Sequence, residues 1–297
     1  MKDEINKKLL SRRKTHHFFK FKQFSFSIRI ILLTLLAIIK TEKLKYLFNF
    51  SSQIYLVLIN DDKNIINNFF DLEPSKVLVN GIKIEDPKNI KSRNLENEEN
   101  NVTLYFNDPL TSCEKMFYQV TNLKEIDLSK FDFSEVTTMS QMFMGCNNLE
   151  RVNFGNINTS SVTTMKQMFS QCWNLTSIDL SNFNTKNVNN LIGLFDECEK
   201  LNFIDISNLE TSQVTDMNSL FHKCRSVKTI KFGNINTSLV KNMDKMFNYC
   251  EYLESIDLSN FDVSSVTNMH SMFANCYSLR IIKFPEVFNT SNVKDMY

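Results

Sequence analysis

The cysteines hold the most reactive side chains in this chain, and their spacing argues about what they do. Cys146, Cys172, Cys198, Cys224, Cys250 and Cys276 stand 26 residues apart without a slip. A zinc site wants cysteines in pairs two to four apart, so this spacing does not build one. Stacked coils would bring successive cysteines to about 5 Å, inside the Cα window that disulfides tolerate. Side chains in a parallel ladder point the same way, however, and each cysteine closes an apolar stripe. The expectation is a ladder of buried free thiols used as small apolar groups, with oxidised neighbouring pairs left open if the chain is exported. The histidines, His16, His17, His222 and His270, are scattered, and no three converge as ligands or stand beside a nucleophile. No G-x-S-x-G, Walker loop, H-E-x-x-H or dinucleotide fingerprint occurs, and five glycines are too few for phosphate-cradling loops. No catalytic residue, metal ligand or cofactor is expected.

A second polar set keeps the same step: Asp127, Asn153, Asp179, Asp205, Lys231, Asp257 and Lys283. Four carboxylates spaced by a coil rise could bind a cation or a basic peptide; the plainer reading is the solvated middle of a sheet. Beside them run Glu125, Arg151, Ser177, Phe203, Thr229, Ser255 and Ile281, among which Phe203 is the exposed aromatic anchor. The candidate partner-binding residues are therefore Asp127, Asn153, Asp179, Phe203, Asp205, Lys231 and Asp257. Asn-x-Ser/Thr triplets occur at Asn49, Asn101, Asn158, Asn174, Asn236 and Asn289. Turn chemistry alone accounts for several of them, so glycosylation is expected only if the chain enters a secretory route.

The elements that position these residues follow from one unit, Leu149 to Gln171. Leu149, Val152, Phe154 and Ile157 have the L-x-x-L-x-L-x-x-L spacing of a short strand with alternate residues inward, leaving Arg151, Asn153 and Gly155 outside. Asn158, Thr159, Ser160 and Ser161 suit a turn and a helix N-cap. Val162, Met165, Met168, Phe169 and Cys172 then predict one apolar stripe on a short helix. A lone coil cannot offset the entropy of ordering its own backbone, so stacking is obligatory. The predicted fold is α/β: a leucine-rich-repeat-like solenoid of 26-residue coils, each a short parallel strand, a turn and a short helix, with a small β-rich N-terminal cap.

The chain has 297 residues, 42% of them apolar, and a net charge of +1, which argues against nucleic acid as a partner. Its 26 phenylalanines against one tryptophan are largely explained by the recurring core positions. Three segments are expected. Residues 1–40 form a basic leader that runs into the charge-free stretch Ile30 to Ile39 and reads as a signal or signal anchor, with a buried or interfacial helix and a mis-placed start as rivals. Residues 41–112 form the β-rich cap, with Asn80-Gly81 turning a hairpin in Val77 to Ile84 and Val102 to Phe106 as another strand. Residues 113–297 form about seven coils. The first is degenerate, and the last is shifted in frame at Pro285, so the array is expected to be incomplete at its C-terminal end.

The wording IDLSKFDFSEVTTMSQMFMGCNNL from Ile126 to Leu149, echoed from Ile178 and Ile256, resembles the BspA-type surface repeat, a leucine-rich-repeat relative. The likeness spans about residues 113 to 297. It implies a non-catalytic cell-surface or secreted protein that binds a protein or other macromolecule, or mediates adhesion, through its strand-lined face. No lipobox cysteine stands near the N-terminus, so membrane attachment would rest on the apolar segment. The alternative is an intracellular scaffold or adaptor of the same fold.

Overall fold

The structure, a computed structural model, describes residues 52–59, 74–84 and 97–297, all within one compact unit, Ser51–Tyr297. The leader, its apolar segment and Asn49 lie outside the described residues. Among the described residues four strands precede the coils, β1 (Ser52–Ile59), β2 (Lys76–Val79), β3 (Ile82–Ile84) and β4 (Glu99–Phe106). β2 and β3 form a hairpin whose turn residues, Asn80 and Gly81, take φ of 50° and 81°, the left-handed pair that a two-residue turn requires. β1 lies between β4 and the first strand of the array, β5 (Leu123–Lys130), antiparallel to both. Ser52, Ile54, Leu56 and Leu58 point inward along β1, and Val102, Leu104 and Phe106 do so along β4. Through β5 and β6 (Arg151–Asn153) this sheet runs on into the coils, in the order β3-β2-β4-β1-β5-β6.

From Ser112 onward the coils stack in parallel. Single bridges join Ser112 to Thr138, Thr138 to Thr164, and so on through Asn190, Asp216, Asn242 and Asn268 to Asp295. Short strands pair in the same register: β5 with β6, β7 (Phe203–Asp205) with β8 (Thr229–Lys231), and β9 (Ser255–Asp257) with β10 (Ile281–Lys283). Inside the stack Phe117, Phe143, Phe169, Phe195, Phe221, Phe247 and Phe273 form one column. Successive ring centroids are 5.2 to 6.1 Å apart and the rings are within 12° of parallel. Each buried ring contributes roughly 1.5–3 kcal/mol through burial, which is available only once the neighbouring coil is in place.

The α/β description is overturned: no α-helix occurs among the described residues. Where the helix was expected, the chain runs as linked turns. Met142 N–H donates to Met139 C=O, Met144 to Gln141 and Cys146 to Phe143, each three residues back. The alternate N–H groups leave the coil: Met139 donates to Thr164, Gln141 to Lys166, Phe143 to Met168 and Gly145 to Ser170. The same alternation recurs from Met165 to Cys172, so Val162, Met165, Met168, Phe169 and Cys172 are buried on a ribbon of turns rather than on a helix. Two left-handed residues in every coil impose this, from Lys115 and Gln119 through Gln141 and Gly145 to Ser271 and Asn275. A left-handed non-glycine residue costs about 1–2 kcal/mol. The cost is offset because the reset turns half of the N–H groups towards the next coil, where each bond adds about 0.5–1.5 kcal/mol net.

Two further ladders fasten the coils. The buried hydroxyl of Thr159 donates to Asn184 C=O at 3.0 Å and accepts from Asn184 N–H at 2.8 Å. Thr185, Thr211 and Thr237 do the same for Glu210, Asn236 and Asp262. Each cysteine thiol from Cys146 to Cys276 donates to the carbonyl of the preceding coil's phenylalanine, at 2.9 to 3.2 Å. All seven cysteines are free.

Candidate functional site

The strand-lined face carries the polar column, and a local turn sets its geometry. Asp127 Oδ1 accepts the N–H of Ser129 at 2.8 Å, Asn153 that of Gly155 at 3.1 Å, and Asp179 that of Ser181 at 2.9 Å. Asp205 and Asp257 hold Ser207 and Ser259 in the same way. These five residues each close an Asx turn, at the last residue of β6, β7 and β9, within β5 at Asp127, and at Asp179 in a coil whose expected strand does not form, and the four carboxylates are fixed in place by their own backbone. At Gly155 the turn takes φ of 58°, and a Cβ there would meet Ser129 Cβ of the preceding coil at 2.7 Å, so the coils approach each other closely at this point.

The same bonds set the charge. Ser181 holds the Asp179 carboxyl below the usual range, and Ser207 does so for Asp205, with Lys231 adding to it. Burial pushes Asp127 up, but hydrogen bonds from Ser129 and Asn153 outweigh it and the carboxyl ends low. Asp257 is drawn down to about 2 by hydrogen bonds from Ser259 and Lys283. Cations partner the far half of the column: Lys283 Nζ is 2.9 Å from Asp257 and Lys231 Nζ is 3.6 Å from Asp205. Lys231 also lies 5.1 Å from the centre of the Phe203 ring, which is 42% exposed. Beside the near half, Arg151 pairs with Glu125.

Asp127, Asn153 and Asp179 come together in one open groove of about 390 Å³, where Tyr55, Val57 and Thr103 of the preceding strands meet Glu125 and Arg151 of the coils. Lys231 and Asp257 line a second groove of about 450 Å³. Phe203 and Asp205 line neither. Of the glycosylation candidates, Asn158, Asn236 and Asn289 are exposed, and each accepts the N–H two residues on, from Ser160, Ser238 and Ser291. Asn101 is exposed on β4, whereas Asn174 is half-buried and its amide nitrogen donates to Asn148.

Burial pushes the thiol column up, to about 11 at the half-buried Cys276 and well above the normal value at Cys172, Cys198, Cys224 and Cys250. These thiols are neutral donors. The reading as apolar filler missed the S–H···O bond, for which no sequence signal exists. The threonine splints were missed too, although Thr159, Thr185, Thr211 and Thr237 recur at the coil step. On the ribbon side, Asp196, Glu197 and His222 lie with ligand atoms within 4.8 Å of one another, a convergence that the scattered histidines had not suggested. Ser170 Oγ is 3.4 Å from Asp196 Oδ2, and Asp196 Oδ1 is 2.7 Å from His222 Nδ1. The carboxylate stands between hydroxyl and imidazole, so this is not the order of a nucleophile and its base.

Two overlapping stretches, residues 111–229 and 190–297, match the family described as "Mycoplasma protein of unknown function, DUF285". The chain belongs to this family. The matched residues are the stacked coils, so the Asx column, the thiol ladder and the phenylalanine column lie in the part that defines this DUF285 member. A solved structure with some likeness is a leucine rich cell surface protein from Faecalibacterium prausnitzii A2-165, 15% identical, covering 65% of this chain and 87% of that chain with a TM-score of 0.26. The comparison with curated proteins returned no match. Among the described residues no helix is long and apolar enough to cross a membrane.

Proposed function

We propose that this DUF285 chain is a surface repeat protein of the BspA-like kind, secreted or held at the cell surface, that binds a protein ligand through its strand-lined face without catalysis. The observation that carries the reading is the groove between β1, β4 and the first coils. There Asp127 and Asp179 stand beside the Glu125–Arg151 pair and the half-exposed Tyr55. Carboxylates already fixed by their own turns lose little further freedom on binding, which favours a ligand with basic side chains. The array suits such a role because its phenylalanine, methionine, cysteine and threonine positions hold the core while the outward positions of the strands vary. Asn153 shows how to remove charge without breaking the turn, since an asparagine accepts the same bond there.

The test is recovery of binding proteins by the full chain and by the variant carrying Asp127→Asn and Asp179→Asn, with surface labelling of intact cells run alongside. Loss of partners with an unchanged melting curve supports the groove. Equal recovery by both forms rejects it, and complete protection from surface labelling rejects display outside the cell.

A further inference from the structure

We propose that Asp196, Glu197 and His222 form a binding site for a single first-row divalent transition-metal ion, with Zn²⁺ as the probe, bridging two successive coils on the side formed by the turn ribbon. The three donors come from two rungs of one ladder. Asp196 and Glu197 follow Phe195 in one coil, and His222 follows Phe221 in the next. Their ligand atoms lie within 4.8 Å of one another, and Asp196 Oδ1 and His222 Nδ1 are only 2.7 Å apart. The side chains are 17% to 19% exposed, open enough for an ion to enter and closed enough to hold it. Two carboxylates and an imidazole, with water completing the shell, is a donor set used by zinc and its first-row neighbours.

A second observation comes from the rung that follows. Asn248 occupies the next position of the column after Asp196 and His222, is 6% exposed, and its Oδ1 has no hydrogen-bond donor. The rungs are adjacent, since Lys223 N–H donates to Asn248 C=O at 2.7 Å. With Nδ1 presented to a metal, the imidazole carries its proton on Nε2. A metal-bound histidine commonly gives that proton to an oxygen, and the buried Asn248 Oδ1, one rung on, still lacks a donor. The neighbours also show what a metal must replace. Lys223 Nζ sits 2.5 Å from Glu197 Oε1 as the present counter-charge.

Trp173 is the chain's single tryptophan, so its fluorescence reports on this site. The full chain is titrated with Zn²⁺ while Trp173 emission is followed, and the melting temperature is measured at each end of the titration. The expected result is a saturable change at one ion per chain with a raised melting temperature. His222→Gln should weaken binding roughly 10- to 100-fold, whereas Lys223→Ala should tighten it because the competing cation is gone. His270→Gln, outside the trio, should leave the titration unchanged. An emission maximum for the zinc-free His222→Gln protein equal to that of the parent verifies that the variant is folded; if it is not, Glu197→Gln takes its place. No saturable change, a titration indifferent to His222→Gln, or weaker binding by Lys223→Ala would overturn the proposal.

Discussion

A thiol and a carboxylate show how one residue type is committed by its place in a coil. Burial raises the thiols of Cys172, Cys198, Cys224 and Cys250 far above the normal range, and each spends its proton on a phenylalanine carbonyl. A thiolate-selective reagent at pH ~8 should therefore label almost none of the seven cysteines in the native chain. Cys276, half-buried and raised to about 11, should react first, and all seven should react in denaturant. Rapid labelling of Cys172 in the native protein would contradict the thiol ladder. Asp257 gives the pH counterpart. Its folded carboxyl lies at about 2, below the ordinary 3.8 of an aspartate. Its contribution is therefore complete above the unfolded value and is lost as pH falls through that window. Asp257→Asn keeps an acceptor for the Ser259 N–H but carries no charge. Melting temperatures measured down the acid limb should fall less steeply for the variant than for the parent between pH ~4 and ~2.

At the scale of the element, the ribbon of turns replaces a helix, and both its strain and its splints are open to measurement. Ser219 sits at φ of 53° with its N–H bonded to Asp244 C=O. Ser219→Gly should stabilise the chain by up to about 1 kcal/mol in urea unfolding, since glycine meets no Cβ penalty there. A loss of stability would argue for a helical backbone at this point. Thr185→Val removes a hydroxyl that serves both Glu210 N–H and Glu210 C=O, leaving two polar groups without partners at a cost of about 1–3 kcal/mol, while Thr185→Ser should restore most of it. The limits of the sequence reading have a physical cause at this scale. Val162, Met165, Met168, Phe169 and Cys172 are spaced as a helical stripe, but linked three-residue turns bury the same set. Hydrophobic spacing cannot tell the two apart, and of the left-handed ribbon positions only Gly145 and Gly193 are glycines, the others being mostly Gln, Lys, Ser or Glu. The strand positions, the Asn80-Gly81 turn and the Asp127-to-Asp257 column were legible because period-two alternation and the coil step are local facts. The pairing of His222 with Asp196 was not, because the step of 26 brings together residues that look solitary along the chain.

Across the whole molecule, the phenylalanine column is where neighbouring coils depend on one another. A ring in the middle of the column touches a ring on each side: Phe195 lies 5.9 Å from Phe169 and 6.1 Å from Phe221. Phe273, half-buried, stacks on Phe247 at 5.2 Å and is followed by no further ring of the column among the described residues. In a quasi-one-dimensional stack, stability is a sum of coil terms and nearest-neighbour terms. Phe195→Ala should thus cost about 3–5 kcal/mol, most of it through two lost interfaces, and Phe273→Ala clearly less. The position of the cut matters as well as its size. Hydrogen exchange of Phe195→Ala should show protection surviving in β4, β1 and β5, where β1 pairs with a neighbour on each side, while the coils from Leu220 onward open together. For Phe273→Ala the loss should stay within the last two coils. If Phe195→Ala instead lowers protection evenly from β1 to β10, the stack melts as one cooperative body, and the nearest-neighbour account of how its faces are held in register fails.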